Sequence, residues 1–388
     1  MTRRLSAFAL SLAVLVVAPV QAQQSDDHSF ITRLRRLARR TRIVERLDGT
    51  IDGWYPRLGG MTRGSGFVIG PGYRTHIFDD RVRVDLSAAI STKVYTAADA
   101  RVRWAQPLHD RIELWTDLRV EDYPQEDYFG IGRHSTPDTR TTYDFSSRSA
   151  DARVVVNIAP RAQAGTRVAV VSPSIGRGTD REYPSIEQVF TDVQAPGLAA
   201  QPRYVESAVF VDIDRRDRSG NPGHGGVYQA SLAYWNDTTL HQYNFTRFDA
   251  TALQYLSLTA DKAHVISGRF GLSTLNNTPG DRVPFYFFPY VGGPDTVRSV
   301  DEFRFQDENA IWAGVEYTWT PFAYLSFAAF MDTGKVAHGW DEVNFADMTQ
   351  AYGVGIRVHT SKQRLMRLDV GTGGADGWHA YVKLGPAW

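Results

Sequence analysis

Three charged residues in the last third of the sequence have the types and spacing of a buried ion-pair cluster. Arg298 lies in a segment that contains glycine and proline, and Glu316 and Asp332 lie in the two alternating segments that follow it. Both acids fall on the polar parity of their segments, so we expect both to point to the same side of a sheet. A guanidinium is a planar, permanently charged fork that can bridge two carboxylates. We therefore predict that a loop over residues 292–307 is anchored through Arg298 to both acids, either as a static latch or as a gate.

The elements around this loop alternate between apolar and polar residues with a period of two. Residues 82–91, 112–121, 352–359 and 378–385 are the clearest runs, and such alternation is typical of strands with one apolar face. The glycine-rich residues 49–66 are predicted to form a linker. Counting the alternating runs predicts about 16 strands, near residues 65–74, 81–91, 93–105, 111–123, 141–157, 165–176, 203–214, 225–236, 242–257, 263–273, 283–291, 308–319, 323–332, 351–359, 364–371 and 378–387.

Strands of this kind fit either a soluble sandwich or a membrane barrel. The apolar face would pack on a core in the sandwich, whereas in the barrel it would meet lipid and the polar face would line a lumen. Ionisable residues recur on the polar faces, and Trp319, Tyr352 and Trp378 lie near strand ends, as in the aromatic girdles of membrane proteins. The sequence therefore predicts an all-β fold, a transmembrane antiparallel β-barrel with a short N-terminal amphipathic helix.

The N-terminal region divides into two segments before the barrel. Residues 1–22 have the charged start, the apolar run and the small residues of a cleaved secretory signal peptide. Residues 23–60 are predicted to be a short periplasmic segment, a basic amphipathic helix followed by the linker. This helix could bind anionic lipid or an acidic lumen, or could be a solvated leader. Residues 61–388 would then form the outer-membrane barrel.

Other chemistry has little support in the sequence. The 43 basic and 43 acidic residues balance, which disfavours nucleic-acid binding. The chain has no cysteine, and its ten histidines lack metal-ligand spacing, so we predict no metal site and no cofactor. No motif for a phosphate loop or a dinucleotide fold occurs. A barrel-embedded lipid hydrolase stays an alternative, with Ser267 and His359 as an inward pair that no spacing distinguishes. We therefore predict no catalytic residues and a protein that is not an enzyme.

The C-terminal third resembles the bacterial surface antigen superfamily, the outer-membrane barrels related to BamA and TamA. In that family a long extracellular loop folds back into the barrel, and its Val-Arg-Gly-aromatic tip meets a strand motif Phe-x-Asp-x-Gly. The corresponding residues here are Val297-Arg298-Ser299-Val300 and Phe330-Met331-Asp332-Thr333-Gly334. An earlier segment, Tyr128-Phe129-Gly130-Ile131-Gly132, is similar to a third family motif. Ser299 and Val300 replace the usual glycine and aromatic residue, and we expect the tip to pack differently.

The resemblance implies outer-membrane protein or lipid assembly or translocation with a loop that plugs the lumen. The family's periplasmic polypeptide-transport-associated (POTRA) modules have no counterpart in residues 23–60, so we expect a branch without them. A diffusion pore or specific channel is the main alternative. The expected partners are outer-membrane lipids, the outer-membrane assembly machinery and a periplasmic protein that binds residues 23–60. Trp388 ends the last strand and resembles the C-terminal signal that the assembly machinery reads.

Overall fold

The computed structural model describes residues 51–59, 61–62, 65–106, 111–359, 364–374 and 376–384. The predicted signal peptide, the predicted amphipathic helix and Trp388 lie outside these residues. Within the described ranges, no helix has both the length and the apolar character needed to cross a bilayer.

The strands, numbered in chain order, are β1 Gly53–Leu58, β2 Val68–Ile77, β3 Val82–Ser91, β4 Thr96–Ala105, β5 Ile112–Tyr128, β6 Thr141–Ala159, β7 Ala162–Arg177, β8 Tyr204–Asp214, β9 Gly225–Asp237, β10 Phe245–Ser257, β11 His264–Asn277, β12 Tyr290–Val291, β13 Phe305–Gln306, β14 Asn309–Phe322, β15 Leu325–Ala337, β16 Thr349–His359, β17 Arg364–Thr372 and β18 His379–Leu384.

Sixteen of these strands form one antiparallel sheet in which neighbours in sequence are neighbours in space. The order runs from β1 to β11 and continues from β14 to β18, while β12 and β13 pair separately. Short turns, such as residues 160–161, join the strands at one end, and longer loops, such as 178–203, join them at the other. We call these the short-turn end and the long-loop end. β1 and β18 are the two edges of the sheet, and no ladder joins them among the described residues.

The outward face of the sheet is apolar and exposed. Leu118 and Val120 of β5 are 51% and 52% exposed, whereas Glu113 and Asp117 of the same strand are only 7% and 9% exposed. A soluble sandwich would bury the apolar parity and expose the charged one. The reverse distribution is that of membrane strands, whose apolar face meets lipid while their polar face lines a lumen. The fold is therefore the predicted barrel, and the sandwich alternative is wrong.

Charged residues on the inward face pair with one another, both across neighbouring strands and along the same strand. Arg103 donates two hydrogen bonds of 2.9 Å to the carboxylate of Glu113. Arg153 lies 2.8 Å from Asp151 on its own strand. Removing an unpaired charge from water costs free energy, so these ion pairs stabilise the charged residues that face the lumen.

Residues 278–308, between β11 and β14, fold back into the lumen, and we call them the lumen loop. Their contacts reach strands that are far apart in the sheet: the main-chain oxygen of Phe287 accepts a 3.2 Å hydrogen bond from Arg247 of β10, and Asp295 accepts one of 2.9 Å from Lys383 of β18. The sheet thus curves around the lumen loop as the wall of a barrel.

Two sequence-based assignments were wrong, although the other predicted strands each overlap an observed one. Residues 283–291 are not a wall strand, because they contain a short 3-10 helix at Phe285–Phe287 and the two-residue strand β12 inside the lumen. Conversely, part of the predicted linker is β1, in which Trp54 pairs with Tyr73 of β2. Pro56 made a strand improbable, but β1 is an edge strand, where proline is tolerated because one side needs no ladder hydrogen bonds.

A charge placed on the outward face should destabilise the barrel. We expect Leu118→Arg to lower the free energy of unfolding by about 1–2 kcal/mol, because an arginine between the polar edge and the middle of the apolar belt meets hydrocarbon only in part. The measurement is urea unfolding of the protein folded into lipid vesicles. The matched control is Leu240→Arg, since Leu240 is 39% exposed in the loop between β9 and β10. Equal stability of both variants would contradict the orientation of β5.

Candidate latch between the lumen loop and the barrel wall

Arg298 lies near the tip of the lumen loop, and all three nitrogens of its guanidinium donate hydrogen bonds to carboxylates. Its Nε and Nη2 donate hydrogen bonds of 2.6 and 2.9 Å to the two carboxylate oxygens of Asp332. Its Nη1 donates a hydrogen bond of 2.7 Å to Glu316 Oε2. The guanidinium carbon also lies 3.4 Å from the ring centroid of Phe330. With Arg298 only 1% exposed, these groups replace its hydration shell.

The pairing of β14 with β15 places the partners of Arg298 side by side. Glu316 is directly opposite Phe330, and Gly314 is directly opposite Asp332. The two acids are therefore diagonal neighbours on the inward face, at a separation that a single guanidinium can span. Phe330 lies between them, so its ring supports the flat face of the arginine.

Glycines in the wall provide the space that the lumen loop occupies. A Cβ added to Gly334 would lie 2.9 Å from methyl groups of both Val291 and Val297. These two valines are fully buried and belong to the apolar cluster that attaches the loop to β14, β15 and β16. Any larger residue at position 334 would push the loop away from the wall.

The pair of acids belongs to a larger cluster of four arginines and three carboxylates. Arg357 donates hydrogen bonds of 2.8 Å to Glu316 and 2.6 Å to Asp369. Arg269 lies 2.8 Å from Asp332. We call the whole set the latch cluster, and its members are Arg269, Arg298, Arg357, Arg367, Glu316, Asp332 and Asp369. Glu316 and Asp332 therefore each contact two arginines, and the loop is joined to five wall strands.

The sequence analysis missed four members of this cluster, on β11, β16 and β17. They were detectable in principle, because each occupies the inward parity of an alternating strand; Arg357, for example, alternates with Ile356 and Val358. However, parity gives only the side of a sheet. The position of each side chain along the barrel axis depends on the register between strands, and the sequence does not supply that register.

The loop tip has Ser299 and Val300 where the family usually has glycine and an aromatic residue. Val297, Ser299 and Val300 are fully buried. Ser299 does not have a positive φ, so its backbone does not require glycine. Its Oγ accepts a 2.9 Å hydrogen bond from the backbone N–H of Gly374, between β17 and β18. The main-chain oxygen of Val300 accepts a 3.2 Å hydrogen bond from the Tyr381 hydroxyl.

The segment Tyr128–Gly132, which resembled a third family motif, contacts the other side of the lumen loop. Gly132 donates a 2.7 Å backbone hydrogen bond to the oxygen of Gln306. The guanidinium carbon of Arg304 lies 5.4 Å from the ring centroid of Phe129, and Arg304 Nε lies 3.2 Å from Asp376. The lumen loop is therefore held from both sides of the lumen, by β14–β18 and by the connection after β5.

The serine–histidine pair considered for hydrolysis does not form. His359 Nε2 lies 2.8 Å from Ser326 Oγ, whereas the Ser267 hydroxyl is directed at the main-chain oxygen of Glu316. Ser326 is fully buried and also contacts the Thr320 hydroxyl at 2.8 Å. The arrangement joins β15 to β16 near the short-turn end.

Removing the charge of Arg298 should destabilise the barrel more than removing an exposed charge. We expect Arg298→Gln to lower the free energy of unfolding by about 3–5 kcal/mol, because the carboxylates of Asp332 and Glu316 would lose a buried counter-ion. Arg177→Gln is the control, because Arg177 is 74% exposed and 3.8 Å from Glu187, and we expect a change within about 0.5 kcal/mol.

The pairing itself is tested by a double-mutant cycle. The combination of Arg298→Gln with Asp332→Asn should cost less than the sum of the two single changes, because each change removes the same contact. Urea unfolding in vesicles and the heat-dependent gel shift of the folded barrel measure all three variants. Additive costs would show that Arg298 and Asp332 do not stabilise each other.

Comparisons with known proteins agree with this architecture. The family model described as the Omp85 superfamily domain matches residues 77–379. BamA from Haemophilus ducreyi lacking POTRA domains 1-3 aligns with a TM-score of 0.61 and 11% identity, over 96% of this chain and 80% of that chain. CdiB from Escherichia coli aligns with a TM-score of 0.52 and 12% identity, over 87% of this chain and 59% of that chain. No curated protein matches the sequence.

At these identities the structural similarity establishes the fold, and the family model establishes the relationship. The surface-antigen resemblance of the sequence is thereby confirmed. This chain has a 16-stranded antiparallel sheet with an apolar outer face, which wraps around an anchored inner loop. The chain belongs to the Omp85 superfamily.

Proposed function

We propose that this protein is an outer-membrane barrel that acts in the assembly or translocation of proteins or lipids, with the lumen loop as its plug. The observation that carries the proposal is the anchoring of Arg298, which is 1% exposed and bound to acids on two adjacent wall strands. A loop fixed at this position obstructs the path through the lumen. Such an obstruction suits a protein whose passage must be opened by a client, rather than a permanently open pore.

The distribution of free space in the lumen supports a plug. A cavity of about 480 Å³ lies on the short-turn side of the latch cluster, with Gln163, Thr251 and Lys383 among its lining residues. At the long-loop end, the space bordered by Glu126 and Phe303 is only about 80 Å³. The larger of these two spaces thus lies on the short-turn side of the loop. Outer-membrane barrels have their short turns in the periplasm, so this recess would receive a client or partner from that side.

The two edge strands of the sheet also favour a role in the assembly of other proteins. β1 and β18 are not joined by a ladder in the part of the chain that the structure describes. A strand edge can template the pairing of another strand, which is the reaction that assembly of a β-barrel requires. The proposed periplasmic partner of residues 23–60 and recognition of Trp388 by the assembly machinery would complete this role.

The alternatives have weaker support. A diffusion pore or specific channel requires a continuous lumen, which the anchoring of the lumen loop opposes. A lipid hydrolase requires an accessible nucleophile, and the serine that contacts His359 is Ser326, which is fully buried. We therefore propose transport or assembly without catalysis by the chain itself.

Conductance in planar bilayers distinguishes the plugged barrel from the channel. We expect the native protein to show small, intermittent openings, and Arg298→Gln to show larger and more frequent ones, because the loop loses its anchor. A disulfide between Ser299→Cys and Gly374→Cys should suppress these openings in the Arg298→Gln background, and a reductant should restore them. The pair is suitable because a Cβ at position 374 would lie 2.9 Å from Ser299 Oγ and the chain has no other cysteine.

The controls for the disulfide are Ser299→Cys alone and Gly374→Cys alone, which leave the loop uncrosslinked. The second one measures the effect of the added Cβ, which would lie 2.8 Å from a methyl group of Val300. Large, steady conductance of the native protein that is insensitive to the disulfide would favour the channel alternative.

The assembly role is tested with proteoliposomes. We expect the native protein to accelerate the folding of an unfolded eight-stranded outer-membrane barrel into the liposomes, compared with empty liposomes. An oxidised Ser299→Cys/Gly374→Cys protein should lose this acceleration if the lumen loop is a gate, and should keep it if the loop is a static latch. If the native protein and empty liposomes give the same folding rate, the protein does not insert barrel proteins.

A further inference from the structure

Among the residues that the structure describes, one arginine lies on the apolar outer face of the barrel. Arg148 of β6 has the same parity as Ala150, Ala152 and Val154, which point outward. It lies opposite Val120 on β5 and Ser172 on β7, and it is exposed. Arg148 forms no ion pair or hydrogen bond with another residue in the described part of the chain. Its charge therefore needs a partner from outside the protein.

Directly below Arg148, small residues create a groove in the outer surface. The groove has a volume of about 520 Å³ and includes Ala98, Ala100 and Ala150. One level below Arg148 the ladder runs Ala100, Leu118, Ala150 and Val170. Leu118, which is 51% exposed, therefore stands between two shallow strips lined by alanine, and Val170, which is 53% exposed, borders the second strip. The depression is shallow and open to its surroundings, and its apolar lining is suited to a hydrocarbon chain that lies along the surface.

The height of Arg148 matches the level of lipid headgroups. Towards the long-loop end, the outward residues of neighbouring strands change from apolar to polar at Thr96, Asp122, Ser146 and Ser174. Arg148 is at this boundary, with its groove extending into the apolar belt. An arginine at the edge of the hydrocarbon region extends its guanidinium towards the headgroups, where phosphate is the available anion.

We propose that Arg148 and this groove form a binding site for a lipid whose headgroup carries a phosphate. The guanidinium binds two phosphate oxygens, and one acyl chain of the same lipid lies in the alanine-lined groove. Asp122, the next outward carboxylate along the ladder, is opposite Ser146 and forms no ion pair with Arg148, so the guanidinium stays available for the phosphate. The site is separate from the lumen and does not depend on the proposed function.

Native mass spectrometry of the full chain in detergent tests the site, with diphosphoryl lipid A as the probe. We expect Arg148→Gln to weaken lipid A binding about tenfold or more, because a charge-assisted hydrogen-bond pair is lost. Arg148→Lys should recover part of the affinity. Arg177→Gln, which removes an exposed charge outside the groove, should bind like the native protein.

The apolar half of the site is tested separately. Ala100→Leu keeps Arg148 and fills the groove with a residue that lipid tolerates, so we expect weaker binding of lipid A with an unchanged heat-dependent gel shift. Fully dephosphorylated lipid A should bind the native and Arg148→Gln proteins equally weakly, and inorganic phosphate should not compete at millimolar concentration.

Three results would overturn the proposal. The first is equal affinity of the native and Arg148→Gln proteins for lipid A, which would mean unspecific lipid contact. The second is equal binding of phosphorylated and dephosphorylated lipid by the native protein. The third is normal binding by Ala100→Leu together with competition by inorganic phosphate, which would reduce the site to an adventitious anion contact.

Discussion

The structure depends on one constraint: a barrel with an apolar exterior must pair the charged groups of its interior without a large apolar core. Hydrophobic burial inside is limited to a few clusters, such as the one around Val297 and Val300. Cohesion across the lumen therefore comes from charge pairs, and the guanidinium of Arg298 is the point where the lumen loop and the wall meet. Removing one member of such a buried set leaves the others uncompensated, so the set is retained or lost as a unit.

This constraint explains why the latch cluster is larger than a single ion pair. Asp332 is fully buried and needs more than one donor, and Arg269 provides the second cation. Glu316 in turn contacts Arg357, which extends the cluster to β16 and Asp369. Each added charge stabilises its neighbour but must itself be satisfied, so the cluster grows until every member has partners. The result fixes the relative heights of five strands, and the loop that supplies Arg298 is held by all of them.

Most of the fold could be predicted from the sequence because membrane strands must alternate, and alternation is a local signal. The prediction was wrong for segments whose local sequence pattern does not reveal where they lie in the folded barrel. Residues 283–291 are continuously apolar because Phe285 and Val291 are buried inside the lumen, not because they form a wall strand. β1 contains Gly53 and Pro56, and only its pairing with β2 makes it a strand. For the site, parity gave the inward direction of Glu316 and Asp332, while the arginines around them depend on register.

The loop tip shows how the same contact can be made by a different residue. A glycine in the tip would allow the chain to approach the wall closely, but this chain has Ser299 at that position. Here the glycine is on the wall instead: a Cβ on Gly374 would lie 2.8 Å from a methyl group of Val300 and 2.9 Å from Ser299 Oγ. The close approach is therefore preserved, and the serine adds a hydrogen bond that a glycine could not make. What the architecture requires is a small residue at the contact between tip and wall, and either partner can provide it.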